Sequence, residues 1–143
     1  TTITVGNVTT ATVTGLTNGT AYTFKVAAIN ARGTGPQSGA SAAIIVGAPL
    51  APTAAGAVAG PLAGRATVHW TAPAVNNGSA VTGYKVTPFI GAVAQTPVTF
   101  NSTATSHVIT GLTSATSYTF KVAAIHVRGT GPNSGATGAV TIP

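Results

Sequence analysis

Acidic residues are missing altogether: the 143-residue chain contains no Asp and no Glu. With them go the usual acid–base pairs, the Ser-His-Asp triad, paired sugar-cleaving carboxylates and any calcium cage. At an average acidic content near ~12 %, a chain of this size draws none with odds of about one in 10^8, so compositional drift does not explain it. Either the chain is held free of carboxylates, which suits an acidic medium or an acidic polymer, or carboxylates are written as Ala, Thr, Ser or Gly in the recorded sequence. An intact mass of 13.8 kDa would mark the first. Cysteine is absent too, which removes a disulfide framework and thiol chemistry but leaves an oxidising compartment open. No apolar run approaches the ~18 residues needed to cross a bilayer. The strongest, Ser41 to Val46, is short and bounded by Gly39 and Gly47. No charged-then-apolar start resembles a signal peptide, so any such segment was removed or lies outside this stretch.

What is present favours strands. Ala and Thr supply roughly two-fifths of the chain, and 44 % of residues are hydrophobic. Thr, Val, Ile and Tyr suit a pleated, half-buried surface, while Gly 18 and Pro 9 supply turns. The reading is all-β. Six Lys and Arg with no counter-charge give a net +6.

An internal repeat sets the organisation. Thr14 to Ala40 reads TGLTNGTAYTFKVAAINARGTGPQSGA, and Thr110 to Ala136 reads TGLTSATSYTFKVAAIHVRGTGPNSGA. Gly111 stands 96 residues after Gly15, a period that matches one whole sandwich domain rather than a solenoid unit. The spacing predicts the C-terminal half of a domain over 1–47, a Pro-rich linker over 48–53, and a complete domain over 54–143. The half domain lacks the strand that would carry a core tryptophan, so one face of its sheet should lie uncovered. Completion by a missing upstream half, or by a strand from another chain, would close it.

About seven strands are expected in the full copy. They are Ala54 to Ala59, Arg65 to Thr71, Val81 to Thr87, Val93 to Phe100 (an edge broken by Pro97), Ser106 to Thr110, Ser117 to Val127 and Ala136 to Ile142. Alternation puts Trp70, Tyr84, Tyr118 and Phe120 inside, with Lys85 and Lys121 outside. A slip of one residue would bury Lys121, so the register is strongly set.

These runs carry a resemblance. Ala66-Thr67-Val68-His69-Trp70-Thr71-Ala72-Pro73 resembles the second strand of fibronectin type III domains, and Val81-Thr82-Gly83-Tyr84-Lys85-Val86 the third. Gly111-Leu112, Tyr118, Val122, Ala124 and Gly129-Thr130-Gly131-Pro132 are similar to the family's leucine, corner tyrosine and sixth strand. The resemblance implies a tandem immunoglobulin-like β-sandwich, a corner closed by the hydroxyl of Tyr118 and, by the repeat, of Tyr22. It also implies a core holding Trp70, Tyr84, Leu112, Tyr118, Phe120, Tyr22 and Phe24. His126 departs from the usual asparagine, which Asn30 keeps in the first copy. The style is similar to modules of bacterial secreted proteins and phage particles, where the sequons at Asn7, Asn18, Asn77 and Asn101 are inert.

Chemistry is scarce. His69, His107 and His126 share no loop or close spacing, so no metal site and no cofactor are expected. Gly-Thr-Gly-Pro is a turn without a following helix, hence no phosphate cradle. In Arg32-Gly33-Thr34 and Arg128-Gly129-Thr130, Thr stands where some family members carry the Asp of an integrin-binding tripeptide, and that activity is not carried over. Lys85 and Lys121, with Arg128 past the strand end and Arg32 as its counterpart, could form a basic stripe for an anionic polymer, without interleaved exposed aromatics. The charges are too few for nucleic acid. The leading expectation is a non-enzymatic spacer or assembly module of an extracellular, cell-surface, filament or virion protein, with other subunits or neighbouring domains as partners. The alternatives are an adhesion module for carbohydrate or an anionic surface polymer, and an accessory domain of a secreted polysaccharide hydrolase.

Overall fold

A computed structural model describes residues 2–143 and contains no helix among them. The chain divides into two compact units, Thr1–Gly47 and Ala48–Pro143. In the first, β1 (Ala21–Tyr22) pairs with β4 (Ile44–Ile45), and β2 (Ile29–Asn30) with β3 (Gly33–Thr34). Among the described residues of this unit, the face that should be inner stays more open than its counterpart in the second. Val26 is 73 % exposed, whereas its repeat equivalent Val122 is 0 % exposed.

The second unit contains β5 (Thr53–Ala59), β6 (Ala66–Thr71), β7 (Gly83–Ile90), β8 (Val93–Ala94), β9 (Val98–Phe100), β10 (Ser106–Ile109), β11 (Ser117–His126), β12 (Gly129–Asn133) and β13 (Val140–Thr141). One sheet runs β10-β6-β5. The other runs β12-β11-β7-β8, with β9 on β7 and β13 on β11. Alternation along β6 and β11 places Ala66, Val68 and Trp70 against Tyr118, Phe120, Val122 and Ala124, joined by Tyr84, Val86, Ile109 and Ile142. The Trp70 and Tyr84 rings meet edge to face at 4.9 Å, an arrangement that adds to their area burial. The core is a sandwich interior.

The stretch 48–53, read as a linker, packs into this unit. Asn77 Nδ2 donates to the Ala48 carbonyl at 2.5 Å, Leu50 N donates to Val75 O, and β5 already begins at Thr53. Gly131 belongs to the same seam, because a Cβ there would overlap the Pro49 carbonyl oxygen.

The last edge differs from the expected strand over Ala136 to Ile142; only Val140–Thr141 is regular. Ser134 N donates to Val122 O, and its hydroxyl accepts from Val122 N at 3.0 Å. Thr137 treats Phe120 the same way, with its hydroxyl 3.0 Å from the Phe120 nitrogen. Two residues of β11 thus face three of the edge chain, a run of bulges in which side-chain hydroxyls replace missing backbone acceptors. Ser38 and Ser41 repeat the pattern against Val26 and Phe24. Such an edge offers a poor template to a further strand.

Candidate functional site

The outer face of the β7–β11 pair gathers the chemistry available. Lys85 lies opposite Ala123 and Lys121 opposite Thr87, so the two lysines stand diagonally on one face. Both are half-buried, their stems lying along the sheet. The Lys121 ammonium sits 5.0 Å from the centre of the Phe89 ring. Phe89 corrects the expectation of a stripe without an aromatic. Lys85, Thr87 and Phe89 continue one alternation, and β7 runs past the expected end at Thr87 to Ile90. Thr99 flanks Lys85 from β9. The face is a pair of cations, a ring and several hydroxyls.

Arg128 does not extend that stripe. Its guanidinium donates to the Asn77 carbonyl at 3.2 Å, tying the β11–β12 turn to the loop after β6. Arg32 lies in the corresponding turn of the first unit, where its backbone N–H donates to Asn30 Oδ1 at 2.9 Å. His126 fills the asparagine's position with the same function: its Nδ1 accepts the Arg128 N–H at 3.0 Å.

The tyrosine hydroxyls serve the chain reversal ahead of each repeat strand. Tyr118 OH accepts from Thr113 N at 3.2 Å, and Tyr22 OH from Thr17 N at 3.0 Å. Hydrogen bonding from Thr17 is the main cause that holds the Tyr22 phenol below its ordinary range. Leu112 is half-buried against the core; Tyr22 and Phe24 are half-buried and stacked, with centroids 6.5 Å apart.

Among the described residues no cluster of three or more His, Cys, Asp or Glu could hold a metal. His69 is exposed over Gly56, and His107 stacks on Phe100 at 4.0 Å. A groove of about 370 Å³ between the β8–β9 segment and the β10–β11 turn is lined by Gln95, Val98, Leu112, Thr113 and Tyr118, among others. Its one titratable side chain, Tyr118, is the corner residue, so the groove holds no pair for proton transfer or nucleophilic attack.

A sandwich with a tyrosine-closed corner and an inter-sheet tryptophan agrees with what sequence comparison finds. The family model described as "Fibronectin type III domain" matches residues 2–44 and 56–139. The chain belongs to the fibronectin type III family.

A solved fibronectin type III-like protein from Clostridium thermocellum superposes with a TM-score of 0.53 and 26 % identity, covering 68 % of this chain and 96 % of that one. Among curated proteins the chain is 41 % identical over 126 residues to "Chitinase A1" of Niallia circulans, covering 81 % of itself and 16 % of that protein. It is 39 % identical over 121 residues to "Endoglucanase B" of Cellulomonas fimi, covering 80 % of itself and 11 % of that protein. The chain therefore spans less than a fifth of either relative. Fibronectin type III sequence is what it shares with them.

Proposed function

We propose that this chain is a non-catalytic accessory segment of a secreted polysaccharide hydrolase, in which fibronectin type III modules space the catalytic domain from its neighbours. The observation that carries this reading is the 41 % and 39 % identity to segments of a chitinase and an endoglucanase. Two enzymes named for different polymers share the segment, so its role is one that either chemistry can use. Without a carboxylate the segment has no parts for glycoside cleavage, and that task falls to another domain. The setting is extracellular, where an insoluble polysaccharide is met. No helix among the described residues is long and apolar enough to cross a membrane. The spacer role foreseen from the repeat remains within this reading. Neither relative named above is a filament or particle protein, so the assembly role is not carried forward.

The test is a fusion. Residues 48–143 alone should release no reducing sugar from chitin or cellulose. Joined to a chitinase or cellulase catalytic domain, they should raise hydrolysis of the insoluble polymer several-fold and leave soluble oligosaccharide turnover unchanged. Equal rates on insoluble polymer with and without the segment would count against the proposal.

A second reading, adhesion to an anionic surface polymer, is favoured by the Lys85, Lys121 and Phe89 face. No carboxylate in the chain neutralises those lysines. Lys85→Ala with Lys121→Ala should abolish salt-sensitive retention on a carboxylated polysaccharide column. Unchanged retention would dispose of this reading.

A further inference from the structure

The groove beside the corner tyrosine is lined by polar groups that the fold leaves unused. It lies between the β8–β9 segment and the β10–β11 turn, and its volume of about 370 Å³ falls at the low end of small-molecule sites, roughly 300–1,000 Å³. Tyr118 is 4 % exposed, and its hydroxyl accepts from Thr113 N, so its own proton is still to be given. Gln95 Nε2 donates to the Val93 carbonyl at 3.1 Å, which leaves Oε1 to accept. Thr110 and Thr113 stand exposed on the rim, and among the described residues no hydrogen bond within the chain occupies either hydroxyl. Val98 and Leu112, both half-buried, supply apolar floor.

Such a lining selects by charge. No Lys or Arg borders the groove, and the chain has no Asp or Glu. An ion that entered would leave water without meeting a counter-charge, which is costly. A neutral polyol loses far less. Each hydroxyl drawn out of water meets Tyr118, Gln95 or a threonine in exchange, and its C–H groups rest on Val98 and Leu112. A sugar ring presents both kinds of surface, hydroxyls at its edge and C–H groups on its faces. Because Thr113 N fixes the Tyr118 hydroxyl, this donor is in place before a ligand arrives.

We propose that this groove binds a short stretch of a neutral polysaccharide such as a cellulose or chitin chain, with Tyr118 donating and Gln95 accepting. The choice of polymer rests on the hydrolase reading above, whereas the preference for a neutral saccharide rests on the lining alone. The groove binds and does not cleave. An accessory segment equipped in this way holds a polymer strand near the enzyme as well as spacing its domains.

The test is an NMR titration of the full chain with cellotetraose, chitotetraose and the carboxylated tetragalacturonate. At least one neutral sugar should shift the Gln95, Leu112 and Thr113 amide signals to saturation. Tetragalacturonate should shift them at least ~5-fold less at equal concentration. Gln95→Ala with Thr110→Val should weaken the neutral-sugar titration at least ~5-fold, on the scale of two lost neutral hydrogen bonds. Neither side chain belongs to the packed core, and an unchanged melting temperature will show that the variant is folded. No shift at those amides with either neutral sugar, an equal response to tetragalacturonate, or a variant that titrates like wild type would each overturn the proposal. The wild-type titrations need no variant. A fusion that speeds hydrolysis of insoluble polymer, built from a chain that shows no sugar shift, sinks the groove alone. A saturable shift with no gain in the fusion supports the groove and sinks the accessory reading alone.

Discussion

Trp70→Ala should cost the second unit about 3–5 kcal/mol, the usual range for truncating a buried aromatic core residue. Trp70 is 5 % exposed and lies between the sheets against Tyr84, so its loss opens a cavity that neither strand can close without breaking register. A domain of this size is commonly stable by only ~5–15 kcal/mol. Calorimetry should therefore show the unfolding temperature lowered by at least ~12 °C. A shift of less than ~2 °C would mean that the ring is not part of the packed interior.

The paired change Ser134→Ala with Thr137→Val should be nearly as severe, although it removes only two hydroxyl groups. Those hydroxyls accept the N–H groups of Val122 and Phe120, both buried in β11. Without them each N–H stays buried with no acceptor, at about 1–3 kcal/mol apiece. Hydrogen exchange should accelerate at the Val122 and Phe120 amides in step with the lost stability. Ser114→Ala, at an exposed position in the turn before β11, should stay within ~0.5 kcal/mol of wild type. Equal effects of the buried pair and the control would refute the bulged edge.

These two predictions also mark what sequence could and could not reveal. Trp70 and the alternation from Ser117 onward are periodic signals, and periodicity is how a pleated strand appears in a sequence. The edge after Pro132 has no such period, because Ser134 and Thr137 bond through side chains at a spacing of three. Hydroxyl residues there look like ordinary strand surface. Phe89 was hidden by Pro88, which reads as a break in a central strand. In an antiparallel ladder a residue's N–H and C=O face the same neighbour, and the Pro88 carbonyl takes the Gln95 N–H from the edge side. The missing N–H therefore costs no bond to β11, and the strand runs on to Ile90. His126 continues the inward parity of Tyr118 and Phe120, which is legible in the sequence, whereas its bond to Arg128 depends on the turn's geometry.

The outer-face lysines show the same division. Parity along β7 and β11 put Lys85 and Lys121 on one surface, whereas the ring beneath Lys121 came only from the register between strands. Arg128 resembled a surface charge in the sequence and acts instead as a brace between two loops. In a chain without Asp or Glu side chains, this turn arginine is held by a backbone carbonyl where a carboxylate would be the usual partner.

The most direct check on the proposed role is the coding sequence that flanks this segment in its natural gene. An accessory function requires a polysaccharide-cleaving catalytic domain, with its own pair of carboxylates, in the same polypeptide. A flanking sequence made only of further repeats ending in a surface anchor or a particle-assembly domain would contradict it.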